Sequence, residues 1–196
     1  MNEQRYKDPQ EYSLIGKIGL FFFEVIKIAL FAGITIGLVR YFLFKPFYVK
    51  GQSMEPTYHE REYLIVDEIT YRFKDPERGD VLVVRSPISD GEFYLKRIIG
   101  LPNERIKLED NTIIIYNNDY PQGIILDESY LIEETPGSVQ VTLGSNEYFV
   151  LGDNRDASYD SRRFGPINKD SIIGKTWLRG WPLNKISIIE PPKYNL

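Results

Sequence analysis

The sequence of 196 residues contains no cysteine. It can therefore form no disulfide, and it offers neither a thiol nucleophile nor a cysteine-ligated metal site. Its one histidine, His59, leaves too few ligands for a histidine-based metal site. The same scarcity argues against a Ser-His-Asp triad, because His59 follows Ser53 closely in a polar turn, where a solvated surface position explains it.

An excess of basic residues is also absent, since the formal net charge is -4. Nucleic-acid-binding proteins usually carry a basic stripe, so we expect no nucleic-acid partner. Hydrophobic residues make up 42% of the chain and charged residues 27%. This composition is typical of a folded globular protein rather than a disordered one.

A long hydrophobic run is present at residues 18–44. Roughly 20 apolar residues suffice for a helix to cross a bilayer, so the run predicts a transmembrane anchor after a short segment at 1–17. A cleaved signal peptide is the alternative, but no small-x-small site precedes the folded part. A buried soluble helix is a second alternative, which three adjacent phenylalanines at 21–23 argue against. Positive charges flank the run equally, so charge leaves its orientation open.

After Pro46 the pattern changes to short runs rich in Val, Ile, Tyr and Phe, bounded by turn residues. The predicted strands include 63–66, 81–84, 93–99, 112–116, 139–143, 148–151 and 186–189. No helical periodicity is evident beyond the anchor. We therefore expect a mainly β fold, with a mostly antiparallel domain at 45–196. A polar, turn-rich excursion from its main sheet is expected at about 104–147.

A serine nucleophile needs a base, and the sequence restricts which base is possible. Ser53 lacks the glycine two positions later that a nucleophile elbow requires, and Ser-x-x-Lys occurs nowhere. Lys96 is the remaining candidate. Strand alternation places it on one face with Tyr94 and Ile98, where desolvation would lower its pKa enough to supply a neutral amine. A surface lysine with its amine in solvent is the alternative.

Four motifs occur in a recognisable order. They are Ser-Met-x-Pro-Thr at 53–57, Arg-Gly-Asp-Val at 78–81 with Pro87, Tyr-Leu-Lys-Arg-Ile at 94–98 with Gly-Leu-Pro at 100–102, and Gly-Asp-Asn-Arg-Asp-x-Ser-x-Asp-Ser-Arg at 152–162. Together they resemble the bacterial type I signal peptidases, membrane-anchored Ser-Lys proteases, in the short form of Gram-positive bacteria. The resemblance implies that Ser53 is the nucleophile and Lys96 the general base. It also implies a cytoplasmic N-terminus and an extracytoplasmic catalytic domain in the cell membrane.

The resemblance assigns supporting roles in the last motif. It implies that Ser158 hydrogen-bonds the lysine amine, that Asp160 and Arg162 pair to brace the loop, and that Asp153 helps to structure it. Without the family, three acidic and three basic residues in this segment would indicate a solvated loop. The chain departs from many Gram-negative members at Gly51, where they carry a serine that helps to bind the oxyanion.

We expect the substrate to be the cleavage region of a secreted preprotein, added as a strand beside Ser53. Segments 47–51 and 93–96 would flank it, and the resemblance implies small residues at the first and third positions before the cut. The candidates for the apolar pocket walls are Phe47, Val49, Met54 and Tyr94. This mechanism needs no metal and no organic cofactor, and the expected partners are preproteins and the lipid bilayer.

Two other functions fit parts of the sequence. A self-cleaving repressor also uses serine and lysine on a β fold, but it would need a DNA-binding helical domain where this chain is apolar. A membrane-tethered β module that binds peptides without cleaving them is the non-enzymatic alternative. An inactive relative would be expected to lose Ser53 or Lys96, and both are present.

Overall fold

A computed structural model describes residues 14–42 and 44–196, so most of the predicted segment at 1–17 lies outside the described residues. The chain divides into two units, an apolar helix that ends at Phe42 and the β-rich remainder. Helix α1 (Leu14–Phe42) has 29 residues. Its stretch Gly16–Leu38 is long and apolar enough to cross a membrane, by length and composition. The predicted apolar N-terminal helix is therefore confirmed, although it begins before residue 18 and gives way to a strand at Phe44.

The β-rich unit contains two antiparallel sheets. In chain order the strands are β1 (Phe44–Tyr48), β2 (Tyr63–Asp67), β3 (Val81–Arg85), β4 (Phe93–Gly100), β5 (Arg105–Glu109), β6 (Thr112–Tyr116), β7 (Ile124–Ile125), β8 (Val139–Thr142), β9 (Glu147–Leu151), β10 (Ile167–Asn168) and β11 (Ile172–Trp181). The main sheet has seven strands in the order β1-β2-β11-β3-β4-β9-β10, and the second has four in the order β7-β6-β5-β8. The predicted fold class, mainly antiparallel β with an apolar helix, is confirmed.

Helical structure is sparse in the β-rich unit. Short helix α2 (Ser161–Phe164) follows the last sequence motif. Single 3-10 turns occur at Thr70–Arg72, Lys169–Ser171 and Leu183–Lys185. This agrees with the absence of helical periodicity beyond the apolar run.

Three apolar clusters fill the β-rich unit. One joins the second sheet to β4 and β9, and it includes Ile106, Ile115 and Phe149. Another lies on β3, β4 and β9 around Leu82, Ile98 and Val150. The third lies beneath the segment that follows β1. Its members are Val49, Met54, Tyr58, Leu64 and Val81. Burying each such side chain contributes roughly 1.5–3 kcal/mol, so these clusters hold the loops of the site in place.

Six of the seven predicted strands are confirmed, and the one at 186–189 is wrong. That segment makes one isolated bridge, between Arg179 and Ser187, and its Ile186 and Ile188 side chains are exposed. Prolines on both sides of it, at 182 and at 191 and 192, lack the N–H groups that a longer ladder would need. The sequence pattern also fails to indicate β5, in which charged and apolar residues alternate, and β11, which carries Lys175 and Arg179.

Candidate active site

Ser53 lies in a tight turn that follows β1. Tyr58 N donates to Met54 O at 2.8 Å, and the side chains of both residues are buried. The turn is thereby anchored in the apolar cluster beneath it, while Ser53 itself stays partly exposed. Gly51, at φ +81°, adopts the left-handed conformation that favours glycine. A Cβ there would meet nothing within 4 Å, so backbone conformation rather than space explains this residue.

Lys96 projects from β4 toward this turn. Its Nζ lies 2.9 Å from Ser53 Oγ, within hydrogen-bond distance. The side chain is 3% exposed, and the Tyr94 ring centroid is 5.5 Å from Nζ. Among the described residues, no carboxylate lies within ion-pair distance of this amine. The structure therefore brings together the two residues that the sequence places 43 positions apart.

The electrostatic surroundings favour a neutral Lys96 amine. Burial lowers its pKa from 10.5 to about 8, and the charge of Arg162 acts in the same direction. The more distant carboxylates of Asp160 and Asp153 oppose this shift. A substantial fraction of the amine is consequently unprotonated near pH 8, which makes it a competent proton acceptor.

The loop at 152–162 packs directly against the turn that carries Ser53. Asn154 N donates to Ser53 O at 3.1 Å. A Cβ on Gly152 would lie 2.4 Å from that same carbonyl oxygen and 2.3 Å from Ser158 Oγ. Only glycine permits such a close approach, so Gly152 fixes the distance between the loop and the turn.

Two ion pairs hold this loop. Asp153 accepts from Arg97 Nε at 2.8 Å and from Nη2 at 2.6 Å, and both side chains are almost fully buried. Arg162 donates from Nε and Nη2 to the two oxygens of Asp160, each at 2.8 Å. Burial alone would raise the pKa of Asp160, but the hydrogen bonds and charge of Arg162 outweigh this effect and hold it below the usual value. Asp160 also accepts from Gly152 N at 3.1 Å.

Ser158 does not make the expected hydrogen bond with Lys96. Its Oγ is buried against Gly152 and makes no hydrogen bond with the lysine amine among the described residues, although its hydroxyl helps to lower the pKa of Asp160. The lysine amine is instead directed at Ser53 Oγ. The predicted contact between Ser158 and the amine is therefore wrong for this structure.

A groove of about 470 Å³ runs from Ser53 and Lys96 along β1 and β4. It contains all four predicted wall residues: Phe47, Val49, Met54 and Tyr94. Val49 and Met54 are buried, so they form its floor, while the two aromatic side chains are more open. Among the described residues, no cluster of three His, Cys, Asp or Glu side chains could hold a metal ion.

Comparisons with known proteins identify the family of this chain. The family model described as "Signal peptidase, peptidase S26" matches residues 22–181. The chain belongs to this family. The prediction of a type I signal peptidase is confirmed, and the chain is a serine peptidase of the signal peptidase I class.

Individual relatives match over most of their length. A "Signal peptidase IB" of Staphylococcus aureus strain MRSA252 is 32% identical over 184 residues, covering 87% of this chain and 92% of the relative. A "Probable signal peptidase I-2" of Synechocystis is 33% identical over 159 residues, covering 77% of this chain and 69% of the relative. A crystal structure of a signal peptidase I from Enterococcus faecalis is 33% identical, with a TM-score of 0.45, and covers 52% of this chain and 97% of that one.

The sequence patterns did not indicate the hydrogen bonds of Arg155 that support the loop of the candidate site. Arg155 is buried and donates to both oxygens of Glu128, at 2.7 and 2.6 Å. It also donates to Tyr130 Oη at 3.1 Å and to Gly152 O at 2.9 Å. The Tyr130 ring centroid lies 5.0 Å from the Arg97 guanidinium. No local motif marks Glu128 or Tyr130 as partners of Arg155, which lies 27 and 25 residues away from them in sequence.

Proposed function

We propose that this peptidase removes signal peptides from secreted preproteins through a Ser-Lys mechanism, with Ser53 as nucleophile and Lys96 as general base. The observation that carries the proposal is the 2.9 Å separation between Ser53 Oγ and a buried Lys96 Nζ. Membership of the signal peptidase family supports the substrate class. The depressed pKa of Lys96 supports the assignment of the base.

The reaction follows from these groups. Neutral Lys96 accepts the Ser53 proton while Oγ attacks the carbonyl carbon of the scissile bond. The resulting ammonium then donates a proton to the departing amine, which leaves an ester on Ser53. Lys96 next takes a proton from water, whose hydroxide attacks the ester and releases the carboxylate product. The amine thus acts as base, acid and base again, and no cofactor takes part.

The oxyanion formed in each attack needs hydrogen-bond donors. Ser53 N–H donates to no acceptor among the described residues, so it is available for this purpose. Gly51 supplies no side-chain donor, in contrast to the serine of many Gram-negative relatives. We assign positioning roles to Asp153, Asp160 and Arg162, because their ion pairs fix the loop that contacts the Ser53 carbonyl. We propose the same positioning role for Ser158, whose buried side chain lies against Gly152.

The free edges of two strands support strand addition by the substrate. One edge of β4 pairs with β3 over residues 93–97, whereas its other edge meets β9 only at Arg97, Ile98 and Gly100. Residues 93–96 therefore keep one open edge at the groove. Strand β1 is at the end of the sheet and is open on the side away from β2. A preprotein segment inserted here would form backbone hydrogen bonds with both open edges. Its side chains would contact the predicted wall residues Phe47, Val49, Met54 and Tyr94.

The apolar helix supports a membrane-anchored enzyme with residues 1–17 in the cytoplasm, 18–44 in the bilayer and 45–196 outside the cell membrane. Between Gly16 and Leu38 its side chains are largely uncovered by protein, as expected of a lipid-facing helix. We propose no nucleic-acid partner. Protease added to intact cells should degrade the domain at 45–196, and protection of that domain would contradict this orientation.

The decisive experiment incubates the detergent-solubilised protein with a secretory precursor. We expect a shortened product whose new N-terminus follows a small residue, and no product with Ser53→Ala. Ser129→Ala, which changes an exposed serine that does not line the groove, should cleave as the wild type does. Lack of cleavage by the wild type, or undiminished cleavage by Ser53→Ala, would overturn the proposal.

A further inference from the structure

An ion pair between Glu62 and Arg179 joins the connection that carries Ser53 to a central strand of the main sheet. This connection, residues 49–62, links β1 to β2. Arg179 belongs to β11, and its Nε lies 2.9 Å from Glu62 Oε2, with the two side chains 13% and 3% exposed. Desolvation offsets most of the attraction in a buried ion pair, so stability alone explains this pair poorly.

Arg179 contacts the Ser53 turn directly. Its Nη2 donates to the carbonyl oxygen of Thr57, and its guanidinium lies 5.5 Å from the centroid of the Tyr58 ring. Tyr58 N donates to Met54 O, which closes the turn immediately after Ser53. The planar guanidinium thus binds a carboxylate and a backbone carbonyl at once, which the single ammonium of a lysine does less well.

Glu62 ties the two ends of the connection together. Its Oε2 accepts from His59 N at 3.2 Å. Its backbone carbonyl accepts from Val49 N at 2.9 Å, and Arg61 N donates to Val49 O at 3.0 Å. Residues 49–62 therefore form a closed loop whose far end is fixed to Arg179.

Strand β11 makes a second contact with the same turn, three residues before Arg179. Tyr58 Oη and Thr176 Oγ1 are 2.8 Å apart and share a buried hydrogen bond. Strand β11 pairs with β3, and β3 pairs with β4, which carries Lys96. The sheet thus forms a continuous hydrogen-bonded frame that extends from the Lys96 strand to the side chains that hold the Ser53 turn.

We infer that Arg179 and Glu62 are positioning residues that hold Ser53 Oγ at the distance from Lys96 Nζ that proton transfer requires. They act through the backbone of the turn rather than on the reacting atoms. A displacement of about 1 Å in a reacting group can lower the rate about 100-fold, so such a constraint matters for turnover. The inference rests on the proposed function, because it concerns the alignment of the same serine and lysine.

The test measures kcat and KM for a secretory precursor with Arg179→Lys, which keeps the positive charge but not the planar fork. We expect kcat to fall roughly 10- to 100-fold while KM stays within about twofold of the wild type, because the turn shifts and the groove does not. Circular dichroism at the assay temperature should show the variant folded. An unchanged kcat would overturn the positioning role.

Arg78→Lys is the matched control. Arg78 forms an ion pair of similar burial with Glu104, with side chains 10% and 6% exposed, and it also donates to Ile99 O. Neither partner belongs to the Ser53 turn. We expect a comparable fall in the unfolding midpoint with kcat within about twofold of the wild type. If both variants lost kcat equally, Arg179 would have no more than a general structural role.

Glu62→Gln gives a second measurement that does not depend on the folding of Arg179→Lys. It preserves the shape of the side chain and an oxygen for His59 N, but removes the charge opposite Arg179. We expect kcat to fall about 3- to 10-fold, and the loss in the double variant to be smaller than the product of the two single losses, because the pair acts as a unit. Wild-type kcat in Glu62→Gln, or losses that multiply, would overturn the inference.

The pH profile separates misplacement of Ser53 from loosening of the site. Burial depresses the pKa of Lys96 to about 8, and a loosened site would rehydrate the amine and raise that pKa toward 10.5. We expect the acidic limb of kcat/KM in Arg179→Lys to keep its wild-type midpoint. A limb shifted to higher pH would overturn the positioning role, whereas failure of the folded wild type to cleave the precursor would overturn the proposed function instead.

Discussion

The two faces of strand β4 place two adjacent cations in different polar environments. Lys96 and Arg97 are neighbours in sequence, and their side chains are 3% and 2% exposed. On one face, Lys96 has a serine hydroxyl as its nearest polar partner. On the other face, Arg97 donates twice to Asp153, and the Tyr130 ring lies against its guanidinium. Similar burial therefore accompanies two very different polar environments.

The contrast shows that the ion-pair partner decides in which direction the pKa of a buried cation shifts. Burial by itself lowers the pKa of both side chains. For Lys96 it prevails, and the pKa falls to about 8. For Arg97 the hydrogen bonds and charge of Asp153 outweigh burial and raise the pKa. One face thus supplies a proton acceptor, while the other supplies a permanent charge that fixes a loop.

The largest loss of activity is expected when the proton-accepting amine of Lys96 is removed. Lys96→Arg should lower kcat/KM for a preprotein by about 10⁴-fold or more, because a guanidinium does not deprotonate. Lys96→Met, which is similar in length and uncharged, should lose activity equally. Its unfolding free energy at pH 7 should be no lower than that of the wild type, since the cost of burying the ammonium is gone. Near-normal turnover by Lys96→Arg would show that the lysine is not the base.

Breaking the ion pair between Arg97 and Asp153 should mainly lower the free energy of unfolding. Arg97→Met leaves the Asp153 carboxylate buried without a partner, which typically costs about 3–5 kcal/mol of unfolding free energy. Chemical denaturation followed by circular dichroism would measure this loss. The double variant Arg97→Met with Asp153→Leu should recover much of it, because no unpaired charge remains. A single variant as stable as the wild type would mean that this pair does not hold the loop.

The pH profile should report on the lysine alone. Because the pKa of Lys96 is depressed to about 8, its neutral fraction falls as the pH drops below that value. We expect kcat/KM to decrease about tenfold per pH unit below pH 8, a loss of roughly 100-fold at pH 6. Arg97 stays charged throughout and contributes nothing to this slope. A flat profile between pH 5 and 9 would contradict the assignment of Lys96 as the base.

The smallest loss of unfolding free energy is expected at a solvent-exposed ion pair, in contrast with the buried pair of Arg97 and Asp153. Lys169 and Asp75 approach within 2.5 Å, but the Asp75 side chain is 83% exposed. Exposed pairs contribute about 0–1 kcal/mol, so Asp75→Ala should change the unfolding free energy by less than ~1 kcal/mol. The same denaturation measurement applies. A loss as large as that of Arg97→Met would show that exposure does not weaken ion pairs in this fold.

The sequence patterns that correctly predicted strands are those that depend only on neighbouring residues. Alternation of β-branched and aromatic residues predicted β2, β3, β4, β6, β8 and β9. It failed for β11, in which Lys175 pairs with Asp80 and Arg179 with Glu62. These charged side chains conceal the pattern of a strand that lies between β2 and β3. The segment at 186–189 shows the opposite error, because its isoleucines have strand propensity but find no neighbouring strand to pair with.

For the candidate site, the motifs predicted Ser53 and Lys96 as a reacting pair but did not predict the residues around them. The apolar residues around Lys96 indicated that its amine could be desolvated. Nothing local indicated that Arg155 would pair with Glu128, or that Ser158 would leave the amine to Ser53 alone. Such contacts depend on how the second sheet and its loops meet the main sheet, and they join residues far apart in sequence.

Patterns of neighbouring residues were enough to identify the class of this protein, an apolar helix followed by a mainly β remainder, and to predict a serine and a lysine as its reactive pair. They were enough because hydrophobic runs, strand alternation and short motifs are properties of neighbouring residues. The tertiary structure is what brings Lys96 Nζ within 2.9 Å of Ser53 Oγ. It also places the rings of Phe47 and Phe93 in contact across the groove, with centroids 5.7 Å apart. Both contacts arise from the packing of distant strands, whose relative positions no local pattern encodes.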